Sequence, residues 1–342
     1  MIPPTPIIIG LIILVALAFD FTNGFHDSAN AISTIVSTKV LSPRQAVVFA
    51  AVFNFIAAFT FGVAVASTIS KIVQLDAVPV EDIPWIHLAA LIGAISWNLI
   101  TWYLALPTSS SHAIIGGLLG AGIASSGIAC IQVQTIALVV IFMILSPMIG
   151  LACGFCLMII VLWIARGAHR STVDTYFRKL QLFSAGAYSF SHGSNDAQKT
   201  MGIITPLLFS IGYYGAGVDP NQLPVPIWVI LSAHVAIALG TLSGGWRIVK
   251  TMGYKITRLR PVDGFSAETA SAATIIGSSM LGIPVSTTHI ITSSIMGVGT
   301  TRGTSAVKWG MARRIIWAWF LTIPLSALIG YASFFLIYHI LP

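Results

Sequence analysis

The sequence predicts an all-α polytopic membrane protein made of two repeats of opposite topology, with broken helices and paired hairpin tips. Three observations predict it. The 342 residues are 56% hydrophobic and only 8% charged, with a mean hydropathy of +0.91, whereas soluble domains carry about a quarter charged residues. Apolar stretches recur from end to end, many long enough for a hydrocarbon core of roughly 30 Å, and they lack the short alternating segments of a transmembrane β-barrel. Finally, the chain contains itself twice, and the polar residues are what repeat.

The apolar segments fall at 7–38, 44–66, 85–104, 108–127, 134–164, 180–211, 227–246, 265–281, 285–300 and 306–338. Residues 7–22 follow no basic run and precede no small-residue cleavage site, so they read as a retained first span and not a signal peptide. Segments 7–38, 134–164, 180–211 and 306–338 are long for one crossing and must be broken, tilted or prolonged beyond the bilayer. Breaks are expected at Asn23-Gly24, Pro147, Gly193-Ser194 and Pro324. Cys153 and Cys156 form a C-x-x-C inside an apolar helix and read as small buried residues at a helix contact; with Cys130 alone, no disulfide framework is implied.

Loop charges orient the chain. Arg166, Arg170, Arg178 and Lys179 cluster at the centre, and Arg247, Lys250, Lys255, Arg258 and Arg260 form a later cluster. The loop at 67–84 sets Lys71 against Asp76, Glu81 and Asp82, and the loop at 212–226 has only Asp219. Basic clusters belong inside the cell, so the net charge of +7 points to membrane orientation and not to a nucleic-acid partner. Walking the segments with this rule gives each half an odd number of crossings and places both termini outside. The second half then enters upside down, as in an inverted-topology repeat transporter. The parity holds whether 85–127 spans or is re-entrant. The expected organisation is a first inverted repeat at 1–165, a cytoplasmic basic linker at 166–179 and a second inverted repeat at 180–342.

The repeated residues carry the chemistry. Gly24-Phe25-His26-Asp27-Ser28-Ala29-Asn30 returns as Gly193-Ser194-Asn195-Asp196-Ala197-Gln198-Lys199, an offset of 169. A carboxylate at membrane depth costs about 2.5–3.5 kcal/mol even on insertion scales. Asp27 and Asp196 therefore point to a bound proton or hard cation, the alternative being an ion pair that holds helices together. Pro107-Thr108-Ser109-Ser110-Ser111-His112 returns as Pro284-Val285-Ser286-Thr287-Thr288-His289, an offset of 177 between the histidines. Proline followed by small hydroxyl residues marks a helix start, whose free N–H groups and dipole favour an anion. Ordinary N-capping is the plain alternative. His112 and His289 either contact that anion or make structural hydrogen bonds. A Ser–His hydrolase would need one asymmetric site and not two copies, so no enzyme is expected.

Two positions break the symmetry. His26 aligns with Asn195, and Lys199 aligns with Asn30. A histidine beside Asp27 titrates near neutral pH and makes proton coupling plausible. Lys199 either pairs with an acid or supplies positive charge for the anion. Glu268 is a secondary candidate, with His234 and Asp20 weaker still. Trp309, Trp317 and Trp319 read as interface or packing residues.

At these residues the sequence resembles the inorganic phosphate transporter (PiT) family, and the forms with His26 and Lys199 resemble its bacterial low-affinity branch. Asn23 to Ala31 and His192 to Lys199 are similar to the family's two signatures, and the motif order is kept along essentially the whole chain. The resemblance implies a homodimer in the plasma (inner) membrane that alternates around a central phosphate. It implies phosphate held by Ser109, Ser110, Ser111, His112, Asn195, Ser286, Thr287, Thr288 and His289. It implies that Asp27, Asn30, Asn195 and Asp196 serve coupling ions and phosphate, the two aspartates also serving as metal ligands if sodium or a metal–phosphate complex binds; His26 joins the coupling-ion group by its place beside Asp27. The expected function is a symporter that imports inorganic phosphate with protons. A sodium-coupled phosphate symporter and a sulfate permease of the same fold stay open, and no resident cofactor is expected.

Overall fold

The computed structural model describes residues 5–60, 62–215, 217–220 and 222–340. Apart from one antiparallel bridge between Val73 and Ile131, its described regular structure is helical. The first six helices are α1 (Pro6–Ser37), α2 (Pro43–Ile56), α3 (Ala64–Ser70), α4 (Ile83–Tyr103), α5 (Ser110–Ser126) and α6 (Val133–Ile164). The next six are α7 (Arg170–Ser210), α8 (Ile227–Ser243), α9 (Trp246–Tyr254), α10 (Pro261–Met280), α11 (Thr287–Thr300) and α12 (Trp309–Ile340). Local sequence sets several starts: proline occupies the first turn of α1, α2, α4 and α10, where its missing N–H costs nothing. Asp263, in the first turn of α10, caps the Arg260 backbone and pairs with the Arg260 and Arg302 side chains.

The order long, short, very short, long, short, long occurs twice, and the packing follows it. α1 packs on α8 and α9, and α7 packs on α2 and α3. α4 and α5 pack on α12, and α10 and α11 pack on α6. Each half therefore lends its last long helix to the hairpin of the other, and the halves interdigitate.

Two apolar cores result. One joins Ile9–Phe19 of α1 with α3, α4, α5 and the Met201–Leu208 end of α7. The other joins Ala29–Ile35 of α1 with α2, α9, α10, α11 and residues around Ala185 and Tyr188 of α7. Between them lies a polar layer that includes His26, Asp27, His192 and Asp196, all buried.

Four helical stretches are long and apolar enough to cross a membrane: α1, Val80–Tyr103, Val133–Gly167 and α12. Two bent pairs, α2 with α3 and α8 with α9, would each complete a span. At 14 residues, α11 is only about 21 Å long and cannot cross alone. α7 begins at Arg170, so most of the expected linker is an exposed first part of this helix.

The sharp bends lie elsewhere than the sequence suggested. Asn23-Gly24, Pro147, Gly193-Ser194 and Pro324 all sit inside continuous helices. The glycines serve close crossings instead: a Cβ on Gly24 would collide with the Ile237 carbonyl, and one on Gly193 would lie 2.5 Å from the Asn54 oxygen. The bends of 85° and 72° fall between α2 and α3 and between α8 and α9. Gly244, with φ of +70°, opens the second of them, a backbone angle that a side chain strains.

α6 and α12 present broad apolar faces outward, including Ile141, Ile144, Phe320 and Leu328. Cys153 and Cys156 belong to that outer face, contrary to the expectation that they are buried. The neighbouring glycines make the contact instead, Gly150 against Ile290 and Gly154 against Ser294 of α11. Gly150 and Gly154 are an i, i+4 pair on one helix face, and at about 100° per residue Cys153 and Cys156 lie about 80° and about 140° round the helix from it.

Candidate functional site

The two sequence repeats meet in space. The Asp27 carboxylate, the His192 imidazole and the Asp196 carboxylate each offer an atom within 4.8 Å of the others. All three side chains are buried, and an anionic pair with an imidazole is a donor set suited to a proton or a hard cation.

The two carboxylates are held differently. Asp27 Oδ1 lies 2.7 Å from His26 Nδ1. His26 Nε2 reaches Thr101 Oγ1 at 3.3 Å, and Thr108 donates to the same threonine at 2.8 Å. Asp196 Oδ1 lies 2.5 Å from Lys199 Nζ, one helical turn on along α7. His192 Nε2 approaches Asp196 Oδ2 at 3.4 Å, and its Nδ1 meets Asn54 Oδ1 at 3.2 Å. The asymmetry seen in sequence is thus a difference in nearest partner: an imidazole for Asp27, and an ammonium with a more distant imidazole for Asp196.

The hydroxyl-rich tips are built alike. Ser109 caps α5 by accepting from His112 N at 3.2 Å, and Ser286 caps α11 by accepting from His289 N at the same distance. Each tip then carries a buried hydroxyl with no protein partner, Ser110 and Thr287. These stand one residue past the cap, where free backbone N–H groups also gather. Ser111 donates to the Val285 carbonyl at 3.2 Å, so one tip touches the other. Thr288 ties its tip to α1: it accepts from Asn30 Nδ2 at 2.8 Å and lies 3.5 Å from Asp27 Oδ1.

The tip histidines pack on each other. Their ring centroids are 4.7 Å apart and meet edge to face, and His289 also stacks on Trp319 at 3.9 Å. Trp319 donates to the Pro107 carbonyl at 3.0 Å. Asn195 donates to Ser279 Oγ at 2.7 Å and leaves its own oxygen unpartnered. A preformed anion clamp would look like this: two helix starts, matched free hydroxyls and a nearby amide.

Glu268 stands apart. It accepts from Ser184 at 2.5 Å and from Gln181 at 3.0 Å, and Gln181 also accepts from Thr38 at 2.9 Å. That network ties α7, α10 and the end of α1 together without joining the central group.

Sequence reasoning missed three supporting residues. His192 lies four residues before Asp196 and so shares its helix face, a signal present in the spacing. Tyr188 is fully buried and donates to the Thr287 carbonyl at 3.4 Å, tying α7 to the second tip. Trp319 had been expected only as a belt or packing residue. Its contact with both tips depends on how α12 crosses, which no local pattern encodes.

The sequence matches the Phosphate transporter family twice, over residues 23–173 and 165–330. Among similar curated proteins is a probable low-affinity inorganic phosphate transporter of Rhizobium meliloti (strain 1021), 51% identical over 330 residues covering 96% of each chain. Another of that description, from Bacillus subtilis (strain 168), is 46% identical over 327 residues, again 96% of each. A solved structure described as the sodium-dependent phosphate transporter superposes with a TM-score of 0.87 at 26% identity, covering 98% of this chain and all of that one.

Proposed function

Because this chain belongs to the phosphate transporter family, a family of multi-pass membrane transporters and not of enzymes, we propose that it is a secondary symporter importing inorganic phosphate with protons. One observation carries the reading: the acids Asp27 and Asp196 converge, while both tips carry buried hydroxyls with no protein partner.

Phosphate sits between the tips. Ser110 and Thr287 donate to its oxygens, together with backbone N–H groups at the starts of α5 and α11. Thr288, Ser111 and the Asn195 amide complete the cage, and His112 and His289 wall it. Ser109 and Ser286 fix the two helix starts and act on phosphate through them. Asp27 and Asp196 take the coupling ion. His26 is the residue that favours a proton, because its imidazole, 2.7 Å from the Asp27 carboxylate, can share a proton with it where a metal cation would find a nitrogen in the way. Lys199 fills part of the space that a second cation would need beside Asp196. Cation loading offsets the buried negative charge, so the loaded or the empty carrier reorients and the half-loaded one does not.

The halves 1–165 and 180–342 are two inverted repeats, with both termini outside the plasma membrane and the basic segment 166–179 inside. Exposed apolar faces of α6 and α12 offer area for lipid and for a second copy of the chain, so the working unit is a homodimer. Sodium coupling is the second reading, favoured by the sodium-dependent transporter of similar structure.

Labelled phosphate uptake into proteoliposomes, with excess sulfate as competitor and Asp27→Asn as control, tests the assignment. Saturable uptake that resists sulfate and is lost in the variant is expected. Folded wild-type protein that moves no phosphate under a proton or a sodium gradient would overturn it.

A further inference from the structure

Asp20 is a buried acid that the reading above leaves without a role. It belongs to a stripe on α1: Asp20, Asn23, Asp27 and Asn30 fall at i, i+3, i+7 and i+10, one helix face. The offset of 169 places Ser189, His192, Asp196 and Lys199 at matching positions on α7. All eight are buried. The stripes differ in charge. The first holds two acids and no base, and the second holds one acid with a lysine and a histidine.

Partners separate Asp20 from every other acid in this region. Asp27 has His26 at 2.7 Å, Asp196 has Lys199 at 2.5 Å, and Glu268 has Ser184 and Gln181. No hydrogen-bond partner lies within 3.5 Å of either oxygen of Asp20. The Thr200 and Asn23 side chains face it from slightly farther off and have no other partner, so they can turn to it as neutral hydrogen-bonding groups but bring no positive charge. The charged groups within its electrostatic reach are Lys199 and Asp196, both on α7. His87 of α4 and His234 of α8 each turn to a carbonyl of their own helix, Ile83 and Ile230. Lys199 is already matched by Asp196, so an ionised Asp20 would add one uncompensated negative charge to a buried, membrane-depth site. A second metal cation there would be repelled by the Lys199 ammonium, whereas a proton on Asp20 removes the charge without that repulsion.

We propose that Asp20 carries a transported proton, and that Lys199 is the tethered positive charge that drives it off. With Lys199 bound to Asp196, Asp20 holds its proton. When Lys199 leaves Asp196 it stabilises the Asp20 carboxylate, and the proton passes to water on the side then open. Asp20 thus holds a proton position at one end of the α1 stripe, away from the Asp27 carboxylate. This rests on the proton-symport reading.

The test compares wild type with Asp20→Asn and Asp20→Glu in proteoliposomes, using labelled inorganic phosphate. Two modes are read: accumulation under an inward proton gradient, and phosphate counterflow at equal pH. Asp20→Asn should accumulate at least about tenfold less while keeping counterflow within about twofold, and Asp20→Glu should restore accumulation with a shifted pH profile. A merely structural Asp20 would lower both modes together, and that result overturns the proposal, as does normal accumulation by Asp20→Asn. Infrared difference spectra of the purified protein give an independent readout. A protonated-carboxyl band present in wild type and missing in Asp20→Asn is expected, and an identical band in both contradicts the proposal. The spectra speak to Asp20 even if wild-type counterflow is absent, an outcome that would refute the phosphate assignment instead.

Discussion

The hairpin tips and the acidic motifs each occur twice along the chain, yet only the tips are built alike. Ser109 and Ser286 cap their helices with the same 3.2 Å bond, and Ser110 and Thr287 stand free at the same position. The acidic motifs have parted: His26 answers Asp27, and Lys199 answers Asp196. A near-tetrahedral anion can be clamped by equal partners from two sides, so symmetry at the tips suits phosphate. Coupling needs a group that changes charge during the cycle, and two identical fixed pairs would not supply one.

Substitutions that strip each side of its partner test this difference most strongly. Asp196→Asn removes the carboxylate 2.5 Å from the buried Lys199 ammonium, and breaking a buried pair costs about 3–5 kcal/mol. Asp27→Asn leaves an imidazole, which can shed its charge. Both variants should lose uptake, but thermal unfolding in detergent should fall much further for Asp196→Asn. Equal loss of stability would mean that the two acids are held alike after all.

At the tips the expected effects are smaller and should match. Ser110→Ala and Thr287→Ala each remove a donor to an anion, worth about 1.5–3 kcal/mol, or roughly ten- to a hundredfold in the KM for phosphate. Stability should hold, because neither hydroxyl bonds to protein. A large effect at one tip alone would break the symmetric clamp. Ser109→Ala and Ser286→Ala should do the reverse, each costing about 1 kcal/mol of stability through a lost cap. Cys156→Ser marks the low end: it changes an outward-facing side chain, and stability should move by under about 0.5 kcal/mol.

Much of this was legible in the chain. Hydropathy located α1, α6 and α12 to within a few residues but missed the polar first part of α7, which begins at Arg170, and the repeated motifs pointed to Asp27, Asp196 and both tips. Pro-Thr-Ser-Ser-Ser and Pro-Val-Ser-Thr-Thr marked α5 and α11 because caps are local chemistry. Where helices cross was not legible. Gly24 and Gly193 looked like breaks, since a glycine in a helix can mark a kink or a close approach, and only the partner backbone decides which. Cys153 and Cys156 were misplaced for a related reason: in a helix apolar on every side, periodicity does not say which face meets protein and which meets lipid. Tyr188 and Trp319 reach the tips from distant helices, so their roles follow from tertiary packing alone.

The central claim is that Asp27 with His26 handles a proton while Lys199 stands in for a cation at Asp196. Labelled phosphate uptake into proteoliposomes tests it directly, with a proton gradient imposed without sodium and a sodium gradient imposed at equal pH. Wild type and the doubly substituted His26→Asn, Lys199→Asn protein are compared. The account predicts that protons alone drive the wild type and that the double variant becomes sodium-dependent. A wild type that accumulates phosphate only with sodium would contradict it, making the aspartates sodium ligands and His26 a bystander.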